Sequence, residues 1–182
     1  MKGVVFTEFL DLVEDKFSAD MVDTIIEASD LPSKGAYTSL GTYDHHEMMQ
    51  LVTHLSNETK IPVAELIRTF GEHLFTRFYA DYPQFFDGIS HAFDFLKNLE
   101  DYIHVEVRKL YQDAELPKFE YETPSPQCLI MTYSSSRPFG DLAEGLIRGC
   151  IHHFGEPIAL DRQDQKDDQK TIIRFTLTQK AD

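Results

Sequence analysis

Two groups of residues in this 182-residue chain have the types and spacing to do chemistry. One is His104, set in Tyr102-Ile103-His104-Val105-Glu106-Val107, an apolar neighbourhood for a ring that must keep at least one nitrogen satisfied. Burial favours the neutral imidazole, which is the form that ligates a metal such as iron. A buried histidine hydrogen-bonded to a carbonyl is the ordinary alternative, and on this residue alone it stands first. The other group is Tyr133-Ser134-Ser135-Ser136-Arg137-Pro138, where an apolar strand ends in hydroxyls and a guanidinium as a helix begins. Residues 133, 135 and 137 alternate as residues on one strand face do, and an arginine can grip a carboxylate by two parallel hydrogen bonds. The pattern suits a carboxylate ligand; the competing reading is a turn in which the serines cap the next helix.

The other histidines, at 45, 46, 54, 73, 91, 152 and 153, never fall four apart as a helical metal pair would. His45-His46 and His152-His153 are adjacent and read as solvated or capping residues. Cys128 and Cys150 match neither a disulfide framework nor a zinc knuckle. There is no Gly-rich phosphate loop, serine nucleophile elbow or His-Glu-x-x-His helix, which removes the most easily read enzymes.

The formal net charge of -14 would repel a phosphate backbone, so nucleic acid is not expected as a partner. Acidic residues interrupt the N-terminus before a signal peptide could form, and no apolar run approaches the roughly 20 residues of a membrane span. The sequence therefore points to one soluble, cytoplasmic domain with 14 phenylalanines available for its core.

The elements that must position these groups follow from periodicity. Phe6, Phe9, Leu10, Val13 and Phe17 form one stripe of a helix over Val4 to Phe17, and Met21, Val22, Ile25 and Ile26 repeat it before Pro32-Ser33-Lys34-Gly35. Asp44, with Glu47 three residues on, resembles a capping pair for the next helix. Pro62 opens another, whose apolar stripe from Val63 to Phe78 ends at Tyr82-Pro83. Phe85 to about Tyr111 reads as two helical segments burying Phe93, Leu96, Leu99, Ile103, Val107 and Leu110. Phe119-Glu120-Tyr121 and Leu129 to Tyr133 read as paired strands. A helix over Pro138 to His153 ends at Gly155. Ile158–Leu160 and Thr171–Thr178 are the last strands, joined by a loop over Asp161–Gln169. The order is α+β: a helical N-terminal subdomain, about 1–65, packed on a C-terminal subdomain, about 66–182, with a four-stranded antiparallel sheet.

Taken together, the opening Met-Lys-Gly, the helical first half, Tyr133-x-Ser135-x-Arg137, His104 lying 29 residues before that signature, and Pro117 between them resemble the haem nitric oxide/oxygen-binding (H-NOX) family, over essentially the whole chain. The resemblance implies haem b, with His104 as proximal iron ligand and Tyr133, Ser135 and Arg137 on the haem propionates. It also implies that Pro117 presses on the haem, and that Val5, Phe9, Leu74, Phe78, Leu142 and Leu146 line the distal side. All six are apolar. Dioxygen-binding members carry a tyrosine where this chain has Leu142, and a polar residue supporting it where this chain has Leu74.

Bound dioxygen takes up negative charge and needs a hydrogen-bond donor, whereas nitric oxide does not. The expected ligands are therefore nitric oxide and carbon monoxide, with dioxygen excluded. Only Cys150 lies beyond the signature where some relatives bind zinc, so zinc is not expected. The resemblance implies a sensor, not an enzyme, acting on a separate histidine kinase or a cyclic-di-GMP enzyme, that is, a diguanylate cyclase or phosphodiesterase. The rival readings are a haem enzyme of peroxidase type, which needs a distal acid–base group, and a haem-free domain binding a small acid at Arg137.

Overall fold

The structure, a computed structural model, describes residues 1–180. Four helices come first: α1 (Gly3–Lys16), α2 (Ala19–Glu27), α3 (His45–Thr59) and α4 (Val63–Asp81). A 3₁₀ turn (Pro83–Phe86), α5 (Ala92–Lys97), a π-helical turn (Leu99–Ile103) and α6 (His104–Leu110) lead into strands β1 (Lys118–Ser125) and β2 (Cys128–Ser135). Helix α7 (Gly140–Phe154) precedes β3 (Ile158–Gln165) and β4 (Thr171–Gln179). No helix among the described residues is long and apolar enough to cross a membrane.

The sheet is antiparallel with order β1-β2-β4-β3. Its inner face is a ladder in which Leu129, Met131 and Tyr133 stand opposite Leu177, Phe175 and Ile173. Each of these is buried, and α7 covers them with Ala143, Ile147, Cys150 and Ile151. This alternation of buried and outward residues is what fixes the register of the central strands. A second core, built on Phe6, Phe9, Ile25, Met48, Leu51 and Leu55, holds α1 to α3, and Leu66, Ile67, Phe70 and Leu74 of α4 belong to it as well. Helix α4 thus faces the N-terminal core and also packs along α7, crossing it where Gly71 meets Gly145.

Local departures from the sequence expectation have identifiable causes. Asp44 caps α3 by accepting from the His46 N–H at 2.9 Å, but Glu47 does not reach back to close a capping box. Its carboxylate is buried and taken by the hydroxyls of Ser33 and Tyr37, which pin the Pro32–Gly35 turn to α3. Strand β3 runs to Gln165, through residues expected to form a loop. It is an edge strand, so pairing with β4 orders the backbone while its polar side chains stay in water. Phe17 and Leu110, placed on buried stripes by periodicity, are 40% and 53% exposed because each falls at a helix end.

Candidate functional site

A cleft of about 320 Å³ opens between the N-terminal helix, α4, α6, the ends of β1 and β2, and α7. Its lining is mostly apolar. His104, Pro117, Tyr133, Ser135 and Arg137 all lie on it, as do Val5, Leu74, Phe78, Leu142 and Leu146. Phe9 does not: it stands behind the wall, fully buried against the edge of Phe70 at 5.3 Å.

His104 is the first residue of α6, directly after the π-helical turn, and its N–H bonds the Leu99 carbonyl five residues back. Such widened turns recur at functional sites. The ring is buried, 8% exposed, and Nδ1 lies 3.0 Å from Oε1 of Glu100. The same oxygen accepts from the Phe119 N–H at 2.8 Å, so Glu100 joins the His104 ring to the start of β1. Burial pulls the imidazole below its ordinary range, with Glu100 opposing that shift, so the ring is neutral near pH 7. A neutral imidazole that donates from Nδ1 to a carboxylate carries its lone pair on Nε2, the tautomer a metal requires.

Tyr133, Ser135 and Arg137 lie where β2 stops. Tyr133 is buried, and desolvation raises its phenol above the ordinary range. Ser135 Oγ accepts from the Arg137 N–H at 3.1 Å, which shapes the turn before α7. The Arg137 guanidinium grips the carboxylate of Glu115. Glu115 belongs to the segment 111–117 between α6 and β1, and nearly all of that segment lies along the cleft.

The segment is fastened a second time through Asp113. Lys2 Nζ donates to Asp113 at 3.0 Å, to Thr42 Oγ1 at 2.8 Å and to the Leu40 carbonyl at 2.9 Å, while the Thr42 hydroxyl also bonds Asp113. The Thr42 hydrogen bond, followed by Lys2, brings the Asp113 carboxyl down to about 2. Two carboxylates of one short segment therefore anchor it at two points, one to Lys2 and Thr42 beside the N-terminal helices and one to Arg137 at the end of β2.

Sequence reasoning missed Glu100, Asp113, Glu115, Lys2, Tyr82 and Tyr111. The hydroxyls of Tyr82 and Tyr111 are 3.1 Å apart, and both rings line the cleft. Burial and then this hydrogen bond push the Tyr82 phenol up to about 12. The spacing of Glu100 four residues before His104 was the one local signal available.

Asp44, His45 and His46 also bring three ligand atoms within 4.8 Å of one another. Asp44 is the α3 cap, the positive helix end repels a cation there, and burial, His46 and Arg137 all lower the His45 pKa. Asp44 alone caps the helix, while His45 and His46 are its first two residues, His46 exposed and His45 partly covered.

A haem needs an apolar slot, one neutral imidazole nitrogen, and cations or hydroxyls for two carboxylates. The cleft supplies all three, and the Glu115 carboxylate on Arg137 shows that this guanidinium takes a carboxylate in place. The residues fit the group.

Over residues 2–162 the sequence matches the family described as Haem-NO-binding. No curated protein matches the chain. Among solved structures, the unliganded Fe(II) H-NOX protein from K. algicida is 41% identical, with 100% of this chain and 98% of that chain covered and a TM-score of 0.93. A mutant of that protein gives 42% identity, the same coverage and a TM-score of 0.94. The IWP-051-bound H-NOX from Shewanella woodyi in the Fe(II)CO state is 40% identical over 99% of this chain and 95% of its own, with a TM-score of 0.84. The chain therefore belongs to the Haem-NO-binding (H-NOX) family of haem-based gas sensors, whose domains are sensors rather than enzymes.

Proposed function

We propose that this H-NOX domain holds haem b, binds nitric oxide and carbon monoxide at ferrous iron, excludes dioxygen, and regulates a separate cytoplasmic protein, a histidine kinase or a cyclic-di-GMP enzyme. One observation carries the choice of gas. The cleft wall contributed by α1, α4 and α7 presents Val5, Leu74, Phe78, Leu142 and Leu146, none of which has a hydrogen-bond donor in its side chain. The haem supplies ferrous iron, at which nitric oxide binds strongly without a donor while dioxygen needs one. The same wall offers no acid–base group of the kind a peroxidase uses.

In this reading His104 would hold the iron through Nε2, Tyr133, Ser135 and Arg137 would hold the propionates, and Pro117 would lie against the porphyrin. Residues of about 1–65 and 66–182 act as two subdomains. Release of the His104 ring would free α6 to move, and the segment 111–117, which follows α6 directly, would move with it. Asp113 ties that segment to Lys2 and Thr42, so the displacement reaches the N-terminal helices, where a partner reads it.

Absorption spectra of the reduced, haem-loaded protein under nitrogen, then air, then nitric oxide test the ligand choice. The expected result is no change in air and a shift with nitric oxide. A stable dioxygen complex would overturn it and point to the Tyr82 hydroxyl as the donor. A protein with no Soret band after haem is supplied would favour the small-acid reading. The output route is tested by His104→Gly with free imidazole, which keeps haem but severs it from α6; unaltered regulation of the partner by nitric oxide would refute that route.

A further inference from the structure

We infer that Glu100 sets the strength of the bond between His104 and iron, and so decides how readily nitric oxide displaces this histidine. The inference rests on the reading of His104 as iron ligand.

The geometry is specific. Glu100 Oε1 lies 3.0 Å from His104 Nδ1 and 2.8 Å from the Phe119 nitrogen, so the acceptor is held from two directions, by α6 and by β1. The π-helical turn Leu99–Ile103 keeps residues 100 and 104 on one face while His104 turns into the cleft. Glu100 is itself largely shielded, its side chain 23% exposed against 10% for His104, so water only partly screens the pair. The Tyr121 hydroxyl on β1 is buried beside Glu100, and burial followed by the nearby Glu100 charge holds it well above its ordinary range. The Glu100 carboxylate therefore acts on the back of the His104 ring inside a poorly hydrated wall.

A carboxylate accepting from Nδ1–H draws the proton toward itself and increases electron density on Nε2. That makes the ring a stronger donor to a metal, and it also fixes the ring's orientation. When the metal bond opens, the lone pair stays on Nε2 and the proton stays on Nδ1, still donated to Glu100. The ring remains tethered at the site and can rebind. Glu100 is thus a positioning residue, and its charge, beyond its hydrogen bonds, is what tunes the response.

The test uses the full chain loaded with haem. In Glu100→Gln the amide oxygen keeps an acceptor for both donors and removes only the charge; Glu100→Leu removes both. Three quantities are read: the iron–histidine stretching frequency in the ferrous protein by resonance Raman, the iron midpoint potential, and the rate at which the protein loses His104 on adding nitric oxide. Glu100→Gln should lower the stretching frequency, move the potential positive and speed displacement of His104 on the order of tenfold, the lower end of what loss of such an outer partner costs. Glu100→Leu should go further. A stretching frequency and displacement rate in Glu100→Gln equal to those of the wild type would overturn the inference, leaving Glu100 a strut for β1. If Glu100→Leu does not fold, Glu100→Gln alone decides. A wild-type ferrous protein with no iron–histidine stretch, or one that His104→Gly does not abolish, would instead refute His104 as the ligand.

Discussion

Gly145→Ala tests whether the close crossing of α4 and α7 builds the apolar wall of the cleft. A Cβ at Gly145 would lie 2.8 Å from Cα of Gly71 and 3.0 Å from the carbonyl carbon of Arg68, with the Arg68 oxygen closer still. Non-bonded carbons rest at about 3.5 to 4.0 Å, so α7 must retreat by roughly 1 Å. All the obstacles are backbone, and no side-chain rotation relieves them. Overpacking of this kind costs about 1–3 kcal/mol. The gain in helix propensity from Gly to Ala returns up to about 1 kcal/mol. With only backbone in the way the cost lies at the upper end, and the net loss of about 2 kcal/mol lowers Tm by roughly 4–8 °C for a chain of this length. The retreat also separates Leu142 and Leu146 on α7 from Leu74 and Phe78 on α4, so haem should leave the variant faster. Thermal unfolding and haem transfer to an excess of apomyoglobin measure the two effects. A variant as stable as the wild type would refute the steric argument, while a destabilised variant with unchanged haem loss would break the link between crossing and wall.

Leu142→Tyr places a phenol on the apolar wall and should convert an air-insensitive ferrous spectrum into one that shifts in air; no shift would mean that the absence of a donor is not what excludes dioxygen. Asp113→Asn loosens the segment 111–117 and should accelerate haem loss at pH 7. Because the folded carboxyl lies near 2 against an ordinary 3.8, the wild type's advantage in denaturation midpoint is present above about pH 4 and fades as pH falls toward 2, whereas a constant gap would contradict the ion pair. Arg162→Ala removes a guanidinium that bonds Asp141 at 2.6 Å and Glu144 at 3.0 Å. Glu144 is buried and keeps Arg148 as its close partner, so urea unfolding should show a loss of about 2 kcal/mol, less than complete orphaning of a buried charge would cost. An unchanged midpoint would mean that water replaces Arg162 at no cost.

How much of this could be read from the sequence depends on the range over which each feature is encoded. The helices were legible because a buried stripe repeats every three to four residues, and the central strands because Ile173, Phe175 and Leu177 alternate. Tyr133, Ser135, Arg137 and Pro117 were legible only as a resemblance, since on their own residues a serine turn stood ahead of a ligand site. The supports of the site left no such trace. Lys2 and Asp113 are 111 residues apart, Glu115 and Arg137 22, and Glu100 and the Phe119 N–H 19. A long-range pair of charges has no period, and in a chain with 31 acidic residues any one of them reads as a solvated surface carboxylate. Only the folded chain shows that Glu100, Asp113 and Glu115 each have a fixed donor beside the cleft.

These three carboxylates flank the ends of one stretch, from the π-helical turn through α6 to β1. Glu100 holds the His104 ring at its beginning, while Asp113 and Glu115 hold its far end to Lys2 and Arg137. A force applied at the His104 ring meets a short helix that packs through few buried residues, Ile103 and His104 chief among them, and is restrained at both ends by hydrogen-bonded charges. Such an element has weak packing to resist displacement and specific polar ties that set where the displacement goes. The carboxylates at these three positions are what would couple the His104 ring to the N-terminal helices.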